Sequence, residues 1–260
     1  KTDTQAHNYV LKSPGTCREI SYWLGIEKQV SVTMPLHACQ RTASARWANK
    51  VYPHRIEGFT MKYCAAIGQT TSKTTPLLFE GDFTQSMAKA KKMGYDAVEL
   101  HTPDIDRLDI DAIHTACKKL DMFIATLGTG QIYGKYGLHL MDTNTANQAR
   151  IIEMVKGYID AAKKMNSKVT IGSIKGNVPK DGERDACLRI MGKCLKEISV
   201  YAAGQGVTVL LEATNHYENN VLNTGRDVAA MIEENELEGV QILMDSFHVN
   251  MEERNLRGCL

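Results

Sequence analysis

A chain of 260 residues, 43% hydrophobic and 23% charged, has the material for a sizeable globular core, and a wholly disordered polymer is excluded. Its 31 Lys and Arg stand against 30 Asp and Glu, a formal charge of +1, so no global field draws it to nucleic acid or to an anionic membrane. No apolar run approaches the roughly 18 residues of a membrane span, and the first residues lack a secretory pattern. The 7 cysteines (Cys17, Cys39, Cys64, Cys117, Cys187, Cys194, Cys259) form no Cys-x-x-Cys pair, which excludes zinc knuckles and disulfide scaffolds and fits a reducing cytoplasm.

Residues 1–60 hold both tryptophans, Trp23 and Trp47, and eight basic against four acidic groups, with no sustained period of 2 or 3.6. They read as an irregular N-terminal extension that packs little against the rest, with Met61 as a candidate initiator; residues 61–260 form the patterned domain. From Met61 the chain alternates short apolar runs with helical patterns. Runs at 62–67, 97–100, 122–127, 168–174, 207–211 and 240–244 are rich in Val, Ile and Leu and nearly continuous, as strands covered on both faces of a parallel sheet are. The spacing predicts helices over 84–93 with Gly94 as cap, 144–165 with a stripe through Ile151, Met154, Val155, Tyr158, Ile159 and Ala162, 184–203 ending near Gly204, and 226–236 after the N-cap Thr224. Six βα units with right-handed crossovers make a barrel or an open doubly wound sheet.

No Gly-x-Gly-x-x-Gly follows the first strand, and no P-loop is present, so a nucleotide fold loses its main support. The informative residues stand at strand ends. The fifth run leads into Glu212-Ala-Thr-Asn215-His216-Tyr-Glu218, and the sixth into Asp245-Ser-Phe-His248. A carboxylate directly after five buried apolar residues must be paired, protonated or bound to a cation. In a barrel, neighbouring strand ends bring Glu212 and Asp245 close enough to hold one divalent ion, roughly 3–5 Å between oxygens. Mixed carboxylate and imidazole donors suit Mn²⁺, Mg²⁺ or Co²⁺.

Glu-Ala-Thr-Asn-His-Tyr-Glu followed by Met-Asp-Ser-Phe-His resembles the xylose isomerase-like TIM barrel superfamily, in its sugar isomerase/epimerase branch that contains the ketose 3-epimerases. The family pattern E-x-x-N-x-x-E is matched by Glu212, Asn215 and Glu218, and D-x-x-H by Asp245 and His248. Gly-Tyr-Asp-Ala-Val-Glu99-Leu, Leu127-Gly-Thr-Gly-Gln131 and Ile171-Gly-Ser-Ile-Lys175-Gly are similar to members acting on keto-sugar acids such as 5-keto-gluconate. The likeness covers roughly residues 61–253. It implies an α/β (β/α)₈ barrel and a metal-dependent isomerase that removes the proton next to a ketose carbonyl through a cis-enediolate. On that reading Glu212 is a metal ligand and an acid/base, Asp245 is a ligand, and Asn215, Glu218, His248, Lys175 and Glu99 contact the substrate. The partner is a small-molecule sugar, with neither nucleic acid nor membrane involved, and the complete parent is a possible homo-oligomer.

The family completes its site with a histidine after the seventh strand and a glutamate after the eighth. Here the chain reaches Leu260 after the sixth, so the barrel is expected to be truncated, with the edges of its first and sixth strands open. The alternative is an apurinic endonuclease-like repair nuclease, in which His101 would be a ligand. That fold needs a histidine after the third strand, where this chain has Gly128. Tyr133 and His139, in the long segment after the third strand, are candidates to cover the site, and His114 reads as a surface residue.

Overall fold

The computed structural model describes residues 10–11, 20–25, 30–33, 60–69 and 77–254. Strands β1 (Val10–Leu11), β2 (Ile20–Gly25) and β3 (Val30–Thr33) come from the N-terminal segment. They are followed by β4 (Thr60–Gly68), β5 (Phe79–Glu80), β6 (Ala97–His101) and β7 (Phe123–Gly128). The last three are β8 (Lys168–Ile171), β9 (Val209–Ala213) and β10 (Val240–Met244). β4, β6, β7, β8, β9 and β10 pair side by side, all parallel and in chain order, and β5 adds a short parallel bridge to β4. These are the six strands expected from the apolar runs. Every residue of β9 is buried, which is why its sequence runs Val-Leu-Leu without alternation.

Helices follow the strands: α1 (Phe83–Lys92), α2 (Ile110–Leu120), α3 (Gly130–Tyr136), α4 (Thr145–Met165), α5 (Arg184–Gln205), α6 (Gly225–Glu234) and α7 (Ser246–Glu252). Their starts are chemically marked. Asp82 accepts from the Gln85 N–H, Asn144 from the Ala146 N–H, and Thr224 closes a reciprocal capping box with Asp227. The stripe of α4 through Ile151, Val155, Tyr158, Ile159 and Ala162 is buried against the sheet. Each large aliphatic there contributes about 1.5–3 kcal/mol of transfer free energy. Among the described residues no helix is long and apolar enough to cross a membrane.

Several boundaries differ from the sequence reading. The fourth run stops as a strand at Ile171, because Ser173–Lys175 turns into a 3₁₀ helix. Helix α5 continues through Gly204 and ends at Gly206, whose φ of +69° supplies the left-handed cap. The expectation that residues 1–60 pack little against the rest does not hold for the described strands. β2 pairs antiparallel with β4 over six residues, from Ile20↔Ala65 to Gly25↔Thr60, and β3 pairs antiparallel with β2. β1 pairs with β3 and lies beside β10. The edges of β4 and β10, expected to be open, are therefore both met by N-terminal strands. β2 escaped notice because its signal is aromatic, β-favouring composition (Ser-Tyr-Trp) and not alternation. Trp47, the rest of residues 1–60 and residues 255–260 lie outside the described residues.

Candidate functional site

The carboxyl ends of the parallel strands converge on one mouth. Glu212 is the fourth residue of β9 and Asp245 follows the last residue of β10, where it doubles as the N-cap of α7 by accepting from the Phe247 N–H at 2.8 Å. β9 and β10 pair in register with Leu243 opposite Glu212, so the two acids sit on adjacent strand ends by construction. His248, one turn into α7, completes the cluster. Donor atoms of Glu212, Asp245 and His248 all lie within 4.8 Å of one another, and all three residues are buried. The Glu212–Asp245 spacing is that of two ligands to one ion. Converging buried carboxylates are also costly without a cation, so the donor set fits a hard divalent metal.

The role of His248 follows from its neighbours. Its Nε2 lies 3.8 Å from Glu212 Oε1 and 3.8 Å from Asp245 Oδ2. On the other side of the ring, Asn215 Nδ2 is 2.6 Å from Nδ1. The amide orientation of Asn215 is assigned by its remaining partners: Oδ1 accepts from the Tyr217 N–H at 2.9 Å, and Nδ2 donates to Glu218 Oε1 at 3.1 Å. Asn215 therefore donates to Nδ1, and the neutral imidazole carries its proton on Nε2, facing the carboxylates. In that tautomer His248 turns a hydrogen-bond donor toward the two carboxylates.

Asn215, expected at the substrate, spends both amide hydrogens inside the protein, on His248 Nδ1 and Glu218 Oε1. Glu218 stands on the exposed rim, 4.0 Å from His248 Nδ1. His216 and Glu252 clasp the same loop to α7: Glu252 Oε1 accepts from both the His216 backbone N–H, at 2.8 Å, and Nδ1, at 2.5 Å.

Lys175, expected to meet a substrate carboxylate or phosphate, lies behind the site. It is fully buried and donates to the main-chain carbonyl of Glu212 and, at 2.9 Å, to Thr214 Oγ1. Thr214 passes the chain on to Asn219 Oδ1, and Asn219 Nδ2 returns to the Gly176 carbonyl at 2.8 Å. The ammonium thus ties the turn after β8 to the end of β9. Burial pushes it down to about 8, against the pull of the Glu212 and Glu218 charges.

Glu99, buried on β6, is separate from the acidic cluster and faces His101, whose Nε2 lies 3.1 Å from Glu99 Oε1. Tyr133 and His139 meet edge to face at 5.9 Å, and the His139 ring fills the space that Gly176 leaves open. His114 is exposed on α2. The sequence reading did not identify Thr214 and Asn219, which are ordinary polar residues made structural by their burial.

A family model described as xylose isomerase-like TIM barrel matches residues 87–257. The L-ribulose 3-epimerase of Methylomonas sp. (strain DH-1) is 23% identical over 189 residues, 69% of this chain and 64% of that protein. The 3-dehydro-D-guloside 4-epimerase of Escherichia coli (strain K12) is 38% identical over 80 residues, 31% of this chain and 29% of that protein. The chain thus spans less than two thirds of the length of these curated relatives. Among solved structures, the apo 3-keto-D-glucoside 4-epimerase from E. coli superposes with a TM-score of 0.60 at 22% identity, covering 75% of this chain and 73% of that one. D-psicose 3-epimerase with D-tagatose from Clostridium cellulolyticum H10 gives 0.63 at 16%, covering 75% and 68%. An AP endonuclease of family 2 from Brucella melitensis gives 0.56 at 16%, covering 74% and 72%. At these identities the structural likeness speaks for the fold alone.

Proposed function

The chain belongs to the xylose isomerase-like TIM barrel family, and from that premise we propose that the protein is a divalent-metal-dependent sugar epimerase or isomerase working beside the carbonyl of a ketose or keto-sugar. The observation that carries the reading is the convergence of buried Glu212 and Asp245 at adjacent strand ends, with His248 turned toward both as a donor. The relatives' names agree on the chemistry: a 3-epimerase of a 2-ketose and a 4-epimerase of a 3-dehydro sugar each invert the carbon next to a carbonyl.

Glu212 and Asp245 would hold the ion, Mn²⁺, Mg²⁺ or Co²⁺. Bound there, it supplies Lewis-acid polarisation of the carbonyl, which acidifies the neighbouring C–H. Glu212 takes that proton, leaving a cis-enediolate of the sugar. His248 donates from Nε2 to a substrate oxygen, in an orientation fixed by Asn215. Glu218 accepts from hydroxyls at the rim. Lys175 and Thr214 hold the β9 end, and hence the Glu212 backbone, in place. Inversion is completed when water delivers a proton to the other face and Glu212 releases to solvent the one it took. The substrate is a small sugar, and no nucleic acid is required.

The test is a panel of 2-ketopentoses, 2-ketohexoses and 3-keto-glycosides with Mn²⁺, followed by epimer formation. Glu212→Gln keeps size and one oxygen donor but cannot take a proton, so turnover should fall by at least about 10²–10⁴-fold, more than metal affinity does. Undiminished turnover in that variant removes Glu212 from the chemistry.

A further inference from the structure

Helix α7 carries His248 and starts on Asp245, yet little in its own composition holds it in place. It is seven residues long, well short of a helix that is stable alone, and two of its side chains are buried, His248 and Val249. Its end reads Met251-Glu252-Glu253, with no basic residue in the last turn. Two acids there oppose the helix dipole, so helix stability does not account for them. Their partners do.

The two carboxylates grip the segment that joins β9 to α6 near its opposite ends. Glu252 Oε1 accepts from the His216 backbone N–H at 2.8 Å and from its Nδ1–H at 2.5 Å, and the Glu252 side chain is 12% exposed. Glu253 Oε1 accepts at 3.0 Å from the N–H of Gly225, the first residue of α6 and one of the donors that a helix start leaves unpaired. The same segment carries Asn215, whose Nδ2 meets His248 Nδ1, and Glu218 on the rim. His248 stands four residues before Glu252, about 6 Å along the helix axis. A swing of the end of α7 therefore moves the imidazole, whereas Glu212 and Asp245 take their places from the pairing of β9 with β10.

We propose that Glu252 and Glu253 are positioning residues for the reaction: together they clamp α7 to the β9–α6 segment and hold His248 in line with Asn215 and with the sugar oxygen to which it donates. Glu252 is the stronger grip, because one carboxylate oxygen takes both donors of His216. Glu253 holds the helix at a second point, so that it cannot pivot about His216. Both acids act through His248 and not on the sugar. The inference rests on the sugar-epimerase reading and adds to it the residues that keep its donor in place.

The experiment compares wild type, Glu252→Ala, Glu252→Gln, Glu253→Ala and the double alanine variant on D-psicose, L-ribulose and a 3-keto-glucoside. Mn²⁺ affinity by calorimetry and the His248 imidazole ¹⁵N resonances are recorded in parallel. Ile113→Val, a buried truncation on α2, supplies a variant of lowered Tm with its site untouched. Glu252→Ala is expected to lower kcat/KM about tenfold and to shift the His248 resonances, with Mn²⁺ affinity unchanged. Glu252→Gln, whose amide oxygen still accepts both His216 donors, recovers most of the loss. Because both acids act through one helix, the double variant loses less than the product of the single losses. A loss in Glu252→Ala no greater than in Ile113→Val, or His248 resonances identical to wild type, overturns the inference and leaves the epimerase reading intact. Mn²⁺ affinity that falls in step with turnover overturns it in favour of a role at the ion. Wild type inactive on all three sugars overturns the epimerase reading and this role with it.

Discussion

The assignment of His248 as a donor rests on one side chain, and replacing Asn215 tests it. Asn215 is 1% exposed and makes three contacts: it accepts from the Tyr217 N–H at 2.9 Å, donates to Glu218 at 3.1 Å and donates to His248 Nδ1 at 2.6 Å. Asn215→Ala strips partners from one backbone N–H and one imidazole nitrogen in a buried setting. At about 1–3 kcal/mol per abandoned buried group, partly offset by entering water, the expected loss of stability is about 2–4 kcal/mol. Freed to rotate or change tautomer, His248 no longer presents Nε2–H, and one charge-assisted bond to the reacting sugar is lost. That bond is worth about 1.5–3 kcal/mol, or about 10–100-fold in kcat/KM. Asn215→Asp separates orientation from packing. Its oxygens re-engage the Tyr217 N–H and reach Nδ1 but can only accept, so the proton moves to Nδ1 and Nε2 becomes a bare lone pair. Its activity therefore does not recover above that of Asn215→Ala, and Mn²⁺ affinity rises as Nε2 becomes a ligand. Imidazole ¹⁵N shifts read the tautomer directly: unprotonated Nδ1 in wild type, protonated Nδ1 in Asn215→Asp. Wild type with a protonated Nδ1, or an aspartate variant with wild-type turnover, refutes the reasoning.

Gly172→Ala places a Cβ inside the contact distance of Glu212 Oε2, and the oxygen must retreat by about 1 Å. Mn²⁺ affinity measured by calorimetry should fall about 10–100-fold, with melting followed alongside to separate ligand displacement from unfolding. Burial at the base of β8 pushes Lys168 down to about 8 from 10.5, so the unfolded chain binds more protons in that window. Wild-type stability should therefore rise, relative to Lys168→Met, from pH 8 to 10.5 by up to about 3 kcal/mol in urea titrations. Thr224→Ala removes the capping box of α6 and should cost about 1 kcal/mol, lowering Tm by about 2–4 °C without altering metal affinity.

What was legible in the sequence was whatever a short run of residues decides by itself. The six parallel strands showed because burial on both faces leaves unbroken Val/Ile/Leu runs, and Glu212 and Asp245 showed because a carboxylate closing such a run has no exit to water. The contents of α3 hid its helix: Gly-Gln-Ile-Tyr-Gly-Lys-Tyr carries two glycines and spans only seven residues. β5 is two residues long and gives no periodic signal. The pairing of β2 with β4 is a long-range antiparallel contact that no local pattern encodes. In the site, residue identity misled where direction mattered. Lys175 reads as a cation for substrate, but the turn of residues 173–175 aims it back under β9. Asn215 reads as a substrate contact, whereas its amide is used up in fixing His248. Glu99 reads as a substrate contact, and its carboxylate lies 3.1 Å from the Nε2 of His101, two residues along the same strand.

The central claim is proton exchange beside a carbonyl at the Glu212–Asp245 centre. Its most direct measurement is wash-in of solvent deuterium into D-psicose, L-ribulose and a 3-keto-glucoside, followed by NMR with Mn²⁺ present. The account predicts incorporation at the carbon adjacent to the carbonyl, abolished by Glu212→Gln and by chelation. No incorporation into any of the three, together with nicking of abasic DNA by the same preparation, would contradict it.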